Sequence, residues 1–495
     1  MSPSSLVRRV GPVLSGDPNR VLCRIFIPGD EELIRGTPRV AELIERFDRL
    51  SDDEVEQTLS DTIRKFGHRH RDLIDEFDHH VAAVKHLVPS DREFGVNRRR
   101  LLGSFLTQEY AFESTAYFNP SITPHPDQSG LPPGALRFVM SVRAVGEGHQ
   151  SSLVFRSGVI SSDCSITVDP ASPYATNRAT RSTILHNRFV EQAVIEADLD
   201  IDELQFALGM LPKKFTLEEL TTNLHLLLPH ETISKSGEMI SLLQQLALNS
   251  YEVDFDCATE LSERVLWPTA SDERRGIEDA RFVRFVDDDG DVTYRATYTG
   301  FNGTTVVSRL LETEDFCAFS SLRMTGGAVH NKGVALFPRR IDGRYVALSR
   351  WDRESNSIAF SDDGYHWHEA ETIHVAEDPW ELIHVGNCGS PIETKHGWLV
   401  ITHGAGPMRQ YSLGAMLLDL DDPVRVKATY PGPLLTPTEE ERNGYVPNVV
   451  YSCGGLAHQG HLILPFGFSD CRSSFAVIPI DELVARMHPN TARRT

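Results

Sequence analysis

Ser361-Asp-Asp-Gly-Tyr-His-Trp367 reads as a tight turn between two strands. Asp and Gly stand where a turn needs a side-chain acceptor and a left-handed backbone, and Trp367 can pack back onto the sheet. Upstream, Tyr345–Leu348 is a short run of strand formers. The same texture recurs at Arg137–Arg143, Ser152–Phe155, Tyr294–Tyr298, Trp398–Thr402 and Leu462–Pro465, each bounded by Gly, Asp or Asn. Strand groups return at roughly 40–50 residues, the spacing of propeller blades, although the repeats are too degenerate to count. The chain is therefore mainly β.

Two stretches break that texture. From Glu31 to Pro89 the residues Leu59, Ile63, Phe66, Leu73, Phe77, Val81 and Val84 follow helical spacing. Ser51 reads as an N-cap, with Asp52, Asp53 and Glu54 suiting the dipole of the first turn. Helix returns between Ala171 and about Ser250, most clearly in Thr216–Leu228 and Ser236–Leu248, with Thr216 as a second N-cap. This block reads as a helical insertion.

The 495 residues carry 49 basic and 70 acidic side chains, a net charge of −21, which argues against general nucleic-acid binding. Hydrophobic residues at 40% and charged residues at 24% imply a real core and exclude disorder and fibrous structure. Apolar runs such as Val81–Val84 and Leu226–Leu228 fall far short of the roughly 20 residues of a membrane helix. The first residues carry arginines with no apolar stretch behind them, so no secretory leader is expected. Cys23, Cys164, Cys257, Cys317, Cys388, Cys453 and Cys471 are scattered and odd in number, which predicts reduced thiols in a cytoplasmic protein. A soluble cytoplasmic enzyme acting on a small molecule is the default.

Phosphate-loop, dinucleotide, nucleophile-elbow and H-E-x-x-H patterns are all missing from the sequence. His68, Asp72, Asp75 and His79 share one helical face, but it lies opposite the apolar stripe and is expected to face water. The strongest local signal is Gly276-Ile-Glu-Asp-Ala-Arg-Phe282. Two adjacent carboxylates beside an arginine can keep one acid ionised while burial protonates the other, although a surface ion pair would read the same way.

Further motifs follow in order: Asn331-Lys-Gly-Val-Ala-Leu-Phe-Pro338, then Ser349-Arg-Trp-Asp352, then Gly389-Ser-Pro-Ile-Glu393. After them come Thr402-His-Gly-Ala-Gly-Pro-Met-Arg-Gln-Tyr411, the Leu-Leu-Asp-Leu-Asp-Asp-Pro run ending at Pro423, Gly444-Tyr-Val-Pro-Asn-Val-Val450 and Gly467-Phe-Ser-Asp470. This ordered set resembles glycoside hydrolase family 130, the β-mannoside phosphorylases with some β-mannosidases among them. A weaker echo covers Phe118-Asn-Pro-Ser-Ile122 and Phe138–Arg143.

The resemblance implies a five-bladed β-propeller with sugar bound in a central funnel, plus an N-terminal helical region and a helical insertion. Its expected division is a strand segment closing the propeller at 1–30, a helical extension at 31–110 and a first blade at 111–170. The insertion follows at 171–262, the remaining blades at 263–485 and a tail at 486–495. By the same resemblance Asp279 is the general acid, its proton reaching the glycosidic oxygen through a sugar hydroxyl. Glu278 and Arg281 position it, and Arg143, Asn119 and Asp470 bind sugar. Lys332, Arg350, His403, Arg409 and Tyr411 form a phosphate cradle.

A phosphorylase needs no second carboxyl group, because phosphate is already an anionic nucleophile, whereas a glycosidase normally needs two. Two departures from the family pattern stand out. Ala280 replaces a proline, which predicts a less rigid loop after the acid. The stretch Thr299–Val307 lacks a further arginine that phosphorylases carry. The expectation is an inverting phosphorylase that converts β-mannosyl di- or oligosaccharides to α-mannose 1-phosphate, with a lean to β-1,2 linkages. An exo-acting β-mannosidase, with Glu393 or Asp352 as base, is the alternative, and a non-catalytic glycan-binding propeller a remote third. Phosphate is a co-substrate, and no metal or organic cofactor is expected. A small oligosaccharide is the expected partner, without nucleic acid or membrane, and the helical regions offer a homodimer interface or a cap over the funnel.

Overall fold

The computed structural model describes residues 6–28, 39–85, 94–197, 202–212, 214–227 and 237–490. The expected helical stretches at 31–38, 86–89, 228 and 236, and the end of the tail, lie outside the described residues. Antiparallel strand groups succeed one another along the chain, the first two joined into one eleven-stranded sheet by a parallel pairing of Gly276 with Ser151. The first comprises Ala116–Pro124, Leu136–Val145 and Ser151–Ile160, with Ile166–Val168 at its edge. Gly276–Val286, Val292–Phe301, Val306–Thr313 and Ala318–Arg323 form the second. The third runs Ala335–Leu336, Tyr345–Ser349, Asn356–Ser361, Ala370–His374. The fourth contains His384–Asn387, Gly397–Ala405, Tyr411–Leu418 and Val426–Thr429. The fifth joins Val450–Tyr451, His461–Phe468 and Arg472–Pro479 to the N-terminal strand Arg8–Leu14, with Arg9 opposite Ala476.

The cores lie between these groups, because each sheet is apolar on both faces. Phe155 of the first group packs on Phe282 and Phe319 of the second. Phe285 meets Tyr345 of the third, and Phe337 beside the third meets Trp398 of the fourth. Leu399 and Leu413 share a core with Leu464 and Phe466 of the fifth. Phe475 then packs against Phe138, which returns the series to the first group. The Trp367 ring of the opening turn is fully buried in the core between second and third groups.

Both helical regions carry their own cores, which is where most helical stability comes from. Asp52–Phe66 and Leu73–Ala83 bury Leu59, Leu73, Phe77 and Val81 against Leu101 and Leu102 of Val96–Phe105. Ser51 closes a capping box with Glu54, and Thr216 does the same with Glu219 ahead of Leu217–Leu227. His68, Asp72, Asp75 and His79 are all exposed, as a water-facing stripe should be. The insertion is not wholly helical: its strands Thr180–Ser182 and Tyr251–Asp254 extend the edge of the second group.

One expectation about cysteine fails. Cys257 and Cys317 form a disulfide across 60 residues of sequence, while Cys23, Cys164, Cys388, Cys453 and Cys471 are free. Antiparallel pairing of Tyr251–Asp254 with Ala318–Ser321, continued by the Phe255 N–H on the Cys317 carbonyl, brings the two thiols together. Their sequence spacing carries no sign of this. Among the described residues no helix is long and apolar enough to cross a membrane.

Candidate active site

The innermost strands of the first two groups each carry a bulge at the same level. Ladder register shifts between Phe118 and Ser121, and between Glu278 and Arg281. Asn119 and Asp279 occupy the bulges with φ of 52° and 54°, a left-handed conformation that non-glycine residues adopt at a cost. Asp470, in the turn after His461–Phe468, has φ 46°. These bends aim the polar tips into a cavity of about 670 Å³. All five groups contribute to its wall.

Within it Asn119 Nδ2 donates to Asp279 Oδ1 at 2.7 Å, and Arg143 Nη1 reaches the same oxygen at 3.4 Å. Arg143 Nη2 donates to Glu278 Oε1 at 2.7 Å, so one guanidinium spans both acids of the motif. Lys332 Nζ stands 4.0 Å from Glu278 Oε2. Arg281 holds the loop from behind: it donates to the Asp279 carbonyl at 2.7 Å, the Cys388 carbonyl at 2.7 Å and Tyr451 Oη at 3.0 Å. Ala280 is buried in the same bulge. The Arg281 clamp on the Asp279 carbonyl restrains this loop where the family pattern has a proline.

Burial pushes the Asp279 carboxyl up, but Arg143, Arg281, Lys332 and the Asn119 amide outweigh it and hold the group below its ordinary value. Asp470 behaves oppositely. Burial and the charge of Asp279 push it up to about 6. The pair is thus set apart in proton affinity by their surroundings.

The far wall is cationic. Lys332, Arg350 and Arg409 line the cavity together with His403 and Tyr411. Among the described residues Arg350 donates only to the Arg353 carbonyl, at 3.0 Å, and its Nε has no partner. Gly386 makes room for it, since a Cβ there would lie 2.2 Å from Arg350 Nε. Burial, then Arg350 and His384, push the His403 imidazole well down. Burial and the neighbouring Arg350, Arg409 and Lys332 push His384 down to about 4. Both rings are neutral at neutral pH, each with one N–H to donate. The His403 ring stacks on Tyr411 and meets Tyr451 edge-on.

The structure brings Asn119, Arg143, Asp279, Arg281, Lys332, Arg350, His403, Arg409, Tyr411 and Asp470 to one cavity, with Glu278 held behind Arg143 and Lys332. Glu393 and Asp352 are not there. Glu393 is engaged by Arg339 at 2.9 Å in a second cavity, lined by later residues of the same inner strands such as Ile122 and Phe282. Asp352 is tied up by Ser355. Sequence reading missed His384, Arg353 and Tyr451, which also line the funnel. Tyr451 and Arg353 directly follow quoted motifs, whereas His384 carries no sequence signal and is found only through its pairing with Ala405. The arginine-free stretch does reach the wall, through Thr304, Thr305 and Val306.

A family model described as beta-1,4-mannooligosaccharide phosphorylase matches residues 252–488. A 1,2-beta-oligomannan phosphorylase from a Thermoanaerobacter species is 34% identical over 269 residues, covering 52% of this chain and 83% of the relative. A beta-1,2-mannobiose phosphorylase from Listeria innocua is 32% identical over 234 residues, covering 45% of this chain and 63% of the relative. The solved structure of a Listeria innocua beta-1,2-mannobiose phosphorylase with beta-1,2-mannobiose superimposes at a TM-score of 0.44 and 20% identity, over 75% of this chain and 92% of that one.

Proposed function

The chain belongs to glycoside hydrolase family 130, and from that premise we propose that it is an inverting β-mannoside phosphorylase whose five strand groups are the blades of a five-bladed propeller. Cores between each consecutive pair of groups, and between the fifth and the first, support the ring. The observation that carries the phosphorylase reading is the cationic wall: Lys332, Arg350, Arg353 and Arg409 line one cavity with Asp279, while Glu393 and Asp352 stand outside it. Such a wall suits a dianion, whose oxygens accept charge-assisted hydrogen bonds.

In this reading Arg143, Asn119 and Asp470 hold the terminal mannosyl unit. Phosphate sits among Lys332, Arg350, Arg409, the ring N–H of His403 and the hydroxyl of Tyr411. Its oxygen bonds to the anomeric carbon while the glycosidic C–O bond breaks on the opposite face, giving α-mannose 1-phosphate. The leaving oxygen takes a proton from a sugar hydroxyl that Asp279 reprotonates, and the proton shed by phosphate as it becomes an ester restores the acid. The surrounding cations hold Asp279 ionised. An arriving dianion offsets those cations and raises the acid's affinity for a proton, so the donor is armed when the nucleophile is present. Phosphate is then a co-substrate and no metal or organic cofactor is required. The two relatives above, both named for 1,2-linked mannosides, favour a β-1,2 substrate.

Product analysis on β-1,2- and β-1,4-mannobiose with and without phosphate tests this. Phosphate-dependent mannose 1-phosphate is expected. Free mannose released at the same rate without phosphate would make the enzyme a hydrolase.

A further inference from the structure

A second polar cavity, of about 530 Å³, lies behind the funnel wall, between the outer strands of the third and fourth groups. Thr402 lines it and His403 lines the funnel, because neighbours on one strand point to opposite faces. Glu381 is 3% exposed and lines this cavity, yet its Oε2 has no hydrogen-bond partner. Trp380 beside it has a buried Nε1 that is also unpartnered. Buried polar groups are almost always paired, so two neighbouring orphans on one cavity wall point to something that completes them. We propose that this cavity is a second ligand site, taking an uncharged polyhydroxylated molecule such as a single hexose unit.

The chemistry of the wall selects that class. Glu377 and Asp378 at the rim repel phosphate and sugar phosphates. A divalent ion does not fit, since among the described residues the only metal-like convergence of three ligand atoms is at Cys257, Asp315 and Cys317. Burial pushes the Glu381 carboxyl up to about 7, which lets it serve as a neutral donor and acceptor pair. The Trp380 indole N–H adds a donor, Thr372 and Thr429 add hydroxyls, and Tyr430 adds an aromatic face for the C–H side of a sugar ring. The volume lies within the range of small-molecule pockets.

Hydrogen exchange of the full chain with mannose, read peptide by peptide, tests the site; the choice of mannose as probe rests on the phosphorylase reading. Saturable slowing is expected at residues 372–383 and 426–430, separate from any slowing at funnel peptides. Thr429→Trp, which fills the cavity, should abolish the first effect and leave phosphorolysis unchanged. Arg143→Ala should abolish only the funnel effect, so failure of the two readings is distinguishable. Glu381→Gln, which keeps a neutral donor and acceptor, should retain binding within about twofold; a tenfold or larger loss, or preference for mannosamine over mannose, would mean an amine site instead. Absence of slowing at 372–383, or its persistence in Thr429→Trp, overturns the proposal.

Discussion

Two arginine clusters in this molecule use the same side-chain types to opposite ends. In the second strand group Arg309 is fully buried and donates to Asp272 at 2.9 Å, Tyr298 at 2.9 Å, Ser321 at 2.9 Å and the Asn249 carbonyl at 2.6 Å. Glu273 lies 3.1 Å from it and accepts from Tyr251 and Tyr298. Every charge there is answered. In the funnel, Arg350 faces a cavity with one carbonyl partner and an orphan Nε, beside two neutral histidines. Burial lowers the affinity of Arg350 for its proton, whereas tyrosine and carboxylate neighbours raise that of Arg309 against burial. A finished network holds a sheet together; an unfinished one, opening on a cavity, waits for a ligand.

The sharpest way to break the contrast is Asp279→Asn. Removing the carboxyl that Asn119 and Arg143 both address should lower kcat about 10³–10⁴-fold, measured by mannose 1-phosphate release, with thermal stability only modestly lower, because the cations that hold Asp279 ionised lose a counter-charge. The matching change in the packed cluster is Arg309→Met. It strands Asp272 and Glu273 in the interior and should cost about 3–5 kcal/mol in urea unfolding, with kcat of the surviving folded fraction near that of the parent. If Arg309→Met instead reduced activity without loss of stability, the two clusters would not differ as described.

Sequence reading reached some of this and not the rest, for physical reasons. The caps at Ser51 and Thr216 were legible because a capping box is set by residues three apart. The strands were legible because their runs are continuous. Asp279 was legible only through the order of motifs around it, since an Asp beside an Arg is as often a surface pair. The bulge that turns it inward is a register shift against a neighbouring strand and leaves no local mark. Glu393 misled for a related reason: a residue on an inner strand can face either end of the channel, and Ile392–Thr394 lies past the end that carries the acid. His384 and the Cys257–Cys317 bond depend on pairings across long sequence distances, beyond any local pattern.

A gentler test separates binding from structure within the cationic wall. In the proposed phosphate cradle, Lys332→Ala and Arg409→Ala each remove one charge-assisted contact. Each should raise KM for phosphate about 10–50-fold, with a smaller effect on the mannoside and little on melting temperature. An equal rise in both KM values would place these cations in general site shape and not in a phosphate cradle.

The smallest expected effect is also the most direct measure of incompleteness. Asp470 is raised from 3.8 to about 6 by burial and by Asp279. A group whose folded pKa exceeds its unfolded value binds more protons in the folded state between those two values. Its contribution to stability is therefore full below pH 3.8 and lost as pH rises through about 6. Asp470→Asn removes that loss. The variant should melt with the parent at the acid end and about 2 °C higher above pH 6, while its activity falls if, as proposed, the strained charge grips the sugar. Were the variant to melt lower above pH 6, Asp470 would be a satisfied partner of Arg143, and this corner of the funnel would belong with the Arg309 cluster.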